Sequence, residues 1–225
     1  MPLRTLPAVL LLPLLVLTAC GGGGDDAPVT AGDEAPGVTA EAQAGEGNGV
    51  DGNGAGAGGD GECADVDGPI IAVESRDGEP QVEIPLPEDW ERTTQTDSEM
   101  IRLMVGAPSI GTGQFVPNVV VTAEPSGADV DAAFEAQLTG IRQGFGIEDI
   151  TTTEGTICGH PSMVAEYTAP AMGAVPERSA SVQIIVVPGV SGSTTYTMTA
   201  QSTAPVDPSF EEDVTTIFEG VQIED

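Results

Sequence analysis

Apolar and polar residues alternate at period two in several stretches of this chain, the pattern of strands with one buried face. In Met100 to Val105, Ile101, Leu103 and Val105 fall on one face and Arg102 points the other way. Asn118 to Glu124, Ser162 to Thr168, Ser181 to Val187 and Thr194 to Ser202 behave similarly, and Gln81 to Ile84 and Ile147 to Thr153 are weaker strand segments. Pro188, Gly189 and Gly192 set a hairpin turn between the last two long strands. Thr151, Thr152, Thr153, Thr194, Thr195, Thr197 and Thr199 predict a polar, β-branched outer face. Two segments switch to helical spacing. Val130, Phe134, Leu138 and Ile141 form one stripe of a helix from Asp129 to about Gln143. A second helix starts at the capping Asp207, with Pro208 in the first helical position and Glu211, Glu212 and Asp213 near the positive end of the dipole. Phe210, Val214, Ile217, Phe218 and Val221 share its apolar face, and Gly220 marks its end. Strands mostly in succession with two single-sided helices predict an α+β fold, an antiparallel β-sheet covered by helices.

Upstream the pattern stops. Residues 21–62 hold 15 of the 30 glycines and 9 acids, without a basic or aromatic side chain, and cannot bury enough surface to offset their ordering entropy. Every aromatic residue lies between Trp90 and Phe218. The expected organisation is therefore a signal segment over 1–19, an anchor and disordered tether over 20–62, and a single globular domain over 63–225 with its core from about residue 80. The first segment has Arg4, an apolar run from Leu6 to Ala19 broken by Pro7 and Pro13, and the ending Leu17-Thr18-Ala19-Cys20. It falls short of the roughly 20 residues that a bilayer span needs and reads as a secretory signal. Small residues before Cys20 match a bacterial lipobox, so cleavage between Ala19 and Cys20 is expected, with a diacylglycerol on the Cys20 sulfur and an acyl group such as palmitate on its amine. The competing reading is an ordinary signal peptide beside a free cysteine; the glycines from Gly21 to Gly24 and the acids that follow favour the lipoprotein. Two or more chains, at about 0.8 kcal/mol per buried methylene, hold such a protein on the extracytoplasmic face of the cell membrane. The glycine-rich tether would reach roughly 35 Å.

Charge narrows the partners further. The chain has 36 acids against 6 arginines and no lysine, a formal charge of -30. Nucleic acid is excluded, because no basic patch exists to displace counterions from phosphates, and electrostatic adhesion to anionic headgroups is disfavoured for the same reason. Beyond the anchor, Cys63 and Cys158 remain. An exported protein with two remaining cysteines favours one bridge, which would close a loop of about 95 residues and stabilise by at most about 4.7 kcal/mol. The alternatives are a buried inert thiol pair, or a reactive Cys158 activated by His160.

The lipobox at Leu17 to Cys20, the long tether, Ile84-Pro85-Leu86-Pro87-Glu88-Asp89-Trp90 opening the domain, and Cys158-Gly159-His160-Pro161-Ser162 leading into a strand together resemble the actinobacterial LpqN/LpqT-type lipoproteins. The resemblance covers the anchor and about residues 80–225. It implies a PsbP-like α/β/α sandwich, a cell-envelope location and a high-GC Gram-positive source, and it carries no catalytic residue. Each motif also has a structural explanation: Pro85 and Pro87 stiffen a connection, Trp90 anchors the edge of a core, and Gly159 and Pro161 form a turn.

Catalytic and metal signals are thin. His160 is the only base of its kind, Gly189-Val190-Ser191-Gly192-Ser193 lacks the last glycine of a nucleophile elbow, and the glycines from Gly106 to Gly113 have no lysine to complete a phosphate loop. A carboxylate pair for glycoside hydrolysis is a chance-proximity reading. One histidine and a bridged cysteine pair make no ordinary zinc site, and Ala55 breaks the calcium-loop pattern that begins at Asp51. No cofactor and no enzymatic activity are expected. The sequence favours a noncatalytic lipoprotein that contacts other envelope or secreted proteins. The alternative is a carrier for an apolar envelope lipid, with Met100, Met104, Met163 and Met198 lining an adaptable pocket. The apolar segment from Pro170 to Arg178 is expected to be an exposed recognition loop that presents Met172 and Arg178, or else a cover over the sheet.

Overall fold

The computed structural model describes residues 61–111, 115–189 and 192–224, all within the unit Gly52–Asp225. The expected signal segment, the expected cleavage site at Ala19 and Cys20, and the expected tether as far as residue 60 lie outside the described residues.

The elements run β1 (Ile70–Ala72), β2 (Gln81–Pro85), β3 (Glu91–Arg92), β4 (Ile101–Gly106), β5 (Asn118–Ser126), α1 (Val130–Phe145), β6 (Thr151–Ile157), β7 (His160–Ala169), β8 (Arg178–Gly189), β9 (Gly192–Thr203), α2 (Pro208–Glu219) and β10 (Gln222–Glu224). Seven strands form one sheet in the order β3-β4-β5-β9-β8-β7-β6, and β1, β2 and β10 form a second; adjacent strands pair antiparallel throughout. The expected α+β architecture is present, with one addition: the small sheet shares the second face of the large one with α2.

The stretch Val182 to Val187 in β8, apolar apart from Gln183, is buried on both sides. Val182, Ile184 and Val186 join Met163, Ala165 and the α1 residues Ala133, Phe134 and Leu138 in one core. Ile185 and Val187 join Leu103, Val105, Val119, Val121, Tyr196 and Met198 in the other, under Val82 and Ile84 of β2 and Phe210, Val214, Ile217 and Phe218 of α2. Val73 belongs to that second core, which therefore starts ahead of residue 80. Asp129 caps α1 by accepting from the Ala132 amide at 3.1 Å, and Gly146 closes it in the left-handed conformation at φ 66°. Asp207 caps α2, accepting from the Ser209 amide at 3.0 Å. Gly220 ends α2 for reasons of space: a Cβ there would lie 2.5 Å from Pro85 Cγ.

Three expectations are corrected, two about exposure and one about a methionine-lined pocket. Thr195 and Thr197 are buried, because α1 covers that face; the Thr197 hydroxyl donates to Gln137 of α1 at 3.3 Å. Arg102 is also buried. A bulge between Ile101 and Leu103 breaks the alternation, and the guanidinium makes a bidentate pair with Glu79 at 2.8 and 3.0 Å. The methionines line no common pocket. Met163 and Met198 sit in different cores, and Met100 is 55% exposed.

Candidate functional site

Alternation along β8 places Ser179, Ser181 and Gln183 on the same face as Ile185 and Val187. The small sheet covers Ile185 and Val187 but stops short of the other three. Register brings Val164, Glu166 and Thr168 of β7 beside them on this face, opposite Gln183, Ser181 and Ser179. Thr151 of β6 pairs with Glu166 and widens the strip. The uncovered strip is the floor of a solvent-open groove of about 870 Å³, whose far wall is α2 with Phe210, Val214 and Phe218.

The groove is polar below and acidic at its edges. Asp149 and Glu166 lie on the sheet side, Glu211 and Glu219 on the helix side, and all four are exposed. Among the described residues, none of these carboxylates is in an ion pair: Arg76, Arg92, Arg102 and Arg142 pair with Glu99, Asp97, Glu79 and Glu135, and Arg178 is held by Gln201 and Phe145. Gln183 is 3% exposed, and its side-chain amide makes no hydrogen bond to a described residue; its polar atoms are not sealed off but open to the groove. Closing the groove over that amide would cost about 1–3 kcal/mol unless the occupant supplied complementary hydrogen-bonding groups, so the floor favours a polar ligand. Among the described residues no histidine, cysteine and carboxylate cluster is arranged to hold a metal ion, and no helix is long and apolar enough to cross a membrane.

The residues singled out by sequence do not converge on this groove. Cys63 and Cys158 are joined in a disulfide. Cys158 and Gly159, with φ of 50° and 80°, form the two-residue turn between β6 and β7, in which Ile157 pairs with His160. A Cβ at Gly159 would lie 2.8 Å from Gly61 Cα, so the glycine admits the incoming chain that the bridge pins down. Trp90 is a core-edge anchor, stacked on Phe210 at 5.9 Å and donating its indole N–H to Asp213 at 2.7 Å.

The expected recognition loop is half right in its exposure. Met172 is 50% exposed, and it exchanges backbone hydrogen bonds with Val175 across a tight turn. Arg178 is 8% exposed: it opens β8, donates to Gln201 and stacks over Phe145 at 5.6 Å, so it belongs to the body of the domain. The groove itself had a sequence signal, the change from Ser179, Ser181 and Gln183 to Ile185 and Val187 on one face of one strand.

No family model matches the chain, and no curated protein matches it. Its structure is similar to the crystal structure of LpqN, involved in cell envelope biogenesis of Mycobacterium tuberculosis, with a TM-score of 0.55 and 15% identity over 70% of this chain and 91% of that one. The solution structure of cyanobacterial PsbP from Synechocystis aligns with a TM-score of 0.45 and 13% identity over 73% of this chain and 98% of that one. The LpqN similarity shows a shared fold: an antiparallel sheet with a helix on each face.

Proposed function

We propose that the protein is a lipid-anchored lipoprotein of the bacterial cell envelope whose noncatalytic domain binds other envelope or secreted proteins, and that it is related to the LpqN/LpqT-type actinobacterial group. The observation that carries the binding reading is the groove under α2, with an unpartnered amide open to it in its floor and unpaired carboxylates on both lips. A site of this kind recognises a polar, hydrogen-bonding surface. The lipobox ending at Cys20 and the long acidic tether support an anchored protein that reaches partners beyond the membrane surface. The fold shared with LpqN, a protein of envelope biogenesis, supports the same setting.

Crosslinking of the acylated protein in intact cells, followed by mass spectrometry, tests the reading. Covalent adducts with envelope proteins are expected. A domain that yields no protein adduct and retains an apolar lipid in native mass spectrometry would overturn it in favour of a lipid carrier.

A further inference from the structure

We infer that the groove under α2 takes an extended segment of a partner protein bearing lysine or arginine side chains, with the segment's main chain bonded to the Gln183 amide and its cations between the carboxylates of the two lips. The inference rests on the partner-binding reading above and specifies its chemistry.

The electrostatics select the sign of the ligand. Glu166 and Glu219 face the groove from opposite walls, each exposed and without an ion-pair partner among the described residues, in a chain of formal charge -30. The summed field draws in cations and repels acidic segments. The floor selects the form of the ligand. A glutamine side chain has two N–H donors and a carbonyl acceptor, which match the C=O and N–H of one peptide unit. Ser179, Ser181 and Thr168 add hydroxyls along the same strip. An acyl chain would leave Gln183 and these hydroxyls unpaired, whereas the apolar wall of α2 suits the methylene stems of lysine and arginine.

Binding of a labelled heptapeptide of alternating lysine and serine to the full chain tests this by fluorescence anisotropy. The triple variant Glu166→Gln/Glu211→Gln/Glu219→Gln should weaken binding by about tenfold or more, equivalent to about 1.4 kcal/mol. The variant Asp67→Asn/Asp77→Asn/Glu88→Gln, with the same change of net charge at exposed carboxylates that do not line the groove, should shift it by less than about twofold, since salt screens exposed charges that do not touch the ligand. Gln183→Leu, with no change of charge, should weaken it by about fivefold, as expected for one lost buried hydrogen-bonding group. Equal losses in the two triple variants, a silent Gln183→Leu, or spermidine competing as well as the peptide would each overturn the inference by reducing the site to bulk charge. Weak peptide binding with protein crosslinks in cells intact would refute the basic segment and leave the partner-binding reading standing. Peptide binding without any protein adduct in cells would refute that reading instead.

Discussion

The buried ion pair between Arg102 and Glu79 offers a sharp test of how the small sheet is held against the large one. Arg102 projects from β4, whereas Glu79 ends the turn before β2, where its carboxylate also accepts the Arg76 amide at 2.8 Å. Their side chains are 3% and 15% exposed, and the Arg102 Nε is buried without a partner. Breaking a buried pair by removing one member costs about 3–5 kcal/mol, most of it the cost of stranding the other charge. The two single variants should therefore differ. Arg102→Met strands a carboxylate that retains a backbone donor and some contact with water, and should cost about 3 kcal/mol, the low end of that range. Glu79→Leu strands a guanidinium that cannot lose its charge and is nearly closed to solvent, and should cost about 4–5 kcal/mol. The double variant replaces the pair by apolar groups and should lie within about 1 kcal/mol of the parent. In thermal unfolding with the disulfide intact, Arg102→Met should lower Tm by roughly 6–12 °C, at about 2–4 °C per kcal/mol for a domain of this size. Single variants that each cost less than about 1 kcal/mol and add in the double variant would refute the reasoning, since additivity means no coupling.

Alkaline titration gives a second test. Burial, reinforced by the Glu79 carboxylate and opposed by Arg102, pushes the Tyr196 hydroxyl up to about 12. An unfolded tyrosine ionises near pH 10 while folded Tyr196 stays neutral, so its contribution is full below pH 10 and falls by about 2 kcal/mol as pH rises to 12. Tyr196→Phe should remove that part of the slope and cost about 1 kcal/mol at neutral pH, because the Pro80 carbonyl loses its donor; identical alkaline slopes in parent and variant would contradict this. Removing the bridge with Cys63→Ser/Cys158→Ser should cost about 2–4 kcal/mol in denaturant unfolding. Hydrogen exchange should accelerate first in residues 61–66 and β10, where Gln222 donates to the Ala64 carbonyl, and uniform acceleration across the large sheet would count against a local clamp. Cys20→Ala should move the protein from the membrane fraction to the medium or block processing; a processed variant that stays membrane-bound would exclude acylation as the anchor.

Much of the fold was legible because period carries burial. The stripe Val130, Phe134, Leu138 and Ile141 became the inner face of α1, and the capping Asp207 with Pro208 marked the start of α2. β1, β3 and β10 were not legible. They span two or three residues, too few to show alternation, and are strands only because β2 and β4 supply their partners. Arg102 was misplaced because a bulge reverses the side of one residue without leaving a mark in the hydropathy pattern. Arg178 sits in an apolar stretch that resembles a loop, yet its guanidinium is satisfied by Gln201 and Phe145, partners that only the folded sheet supplies. The groove depends on where α2 and the small sheet end, a tertiary fact; its trace in sequence is the polar-to-apolar switch within β8.

The claim that this groove is the partner-binding surface is tested most directly by a photocrosslinking side chain, p-benzoylphenylalanine, introduced at Ser179 in the groove floor and, separately, at Glu135 on the exposed side of α1, in the full chain expressed in cells. Protein adducts from Ser179 and few or none from Glu135 are predicted. Equal adducts from both positions, or adducts from Glu135 alone, would contradict it.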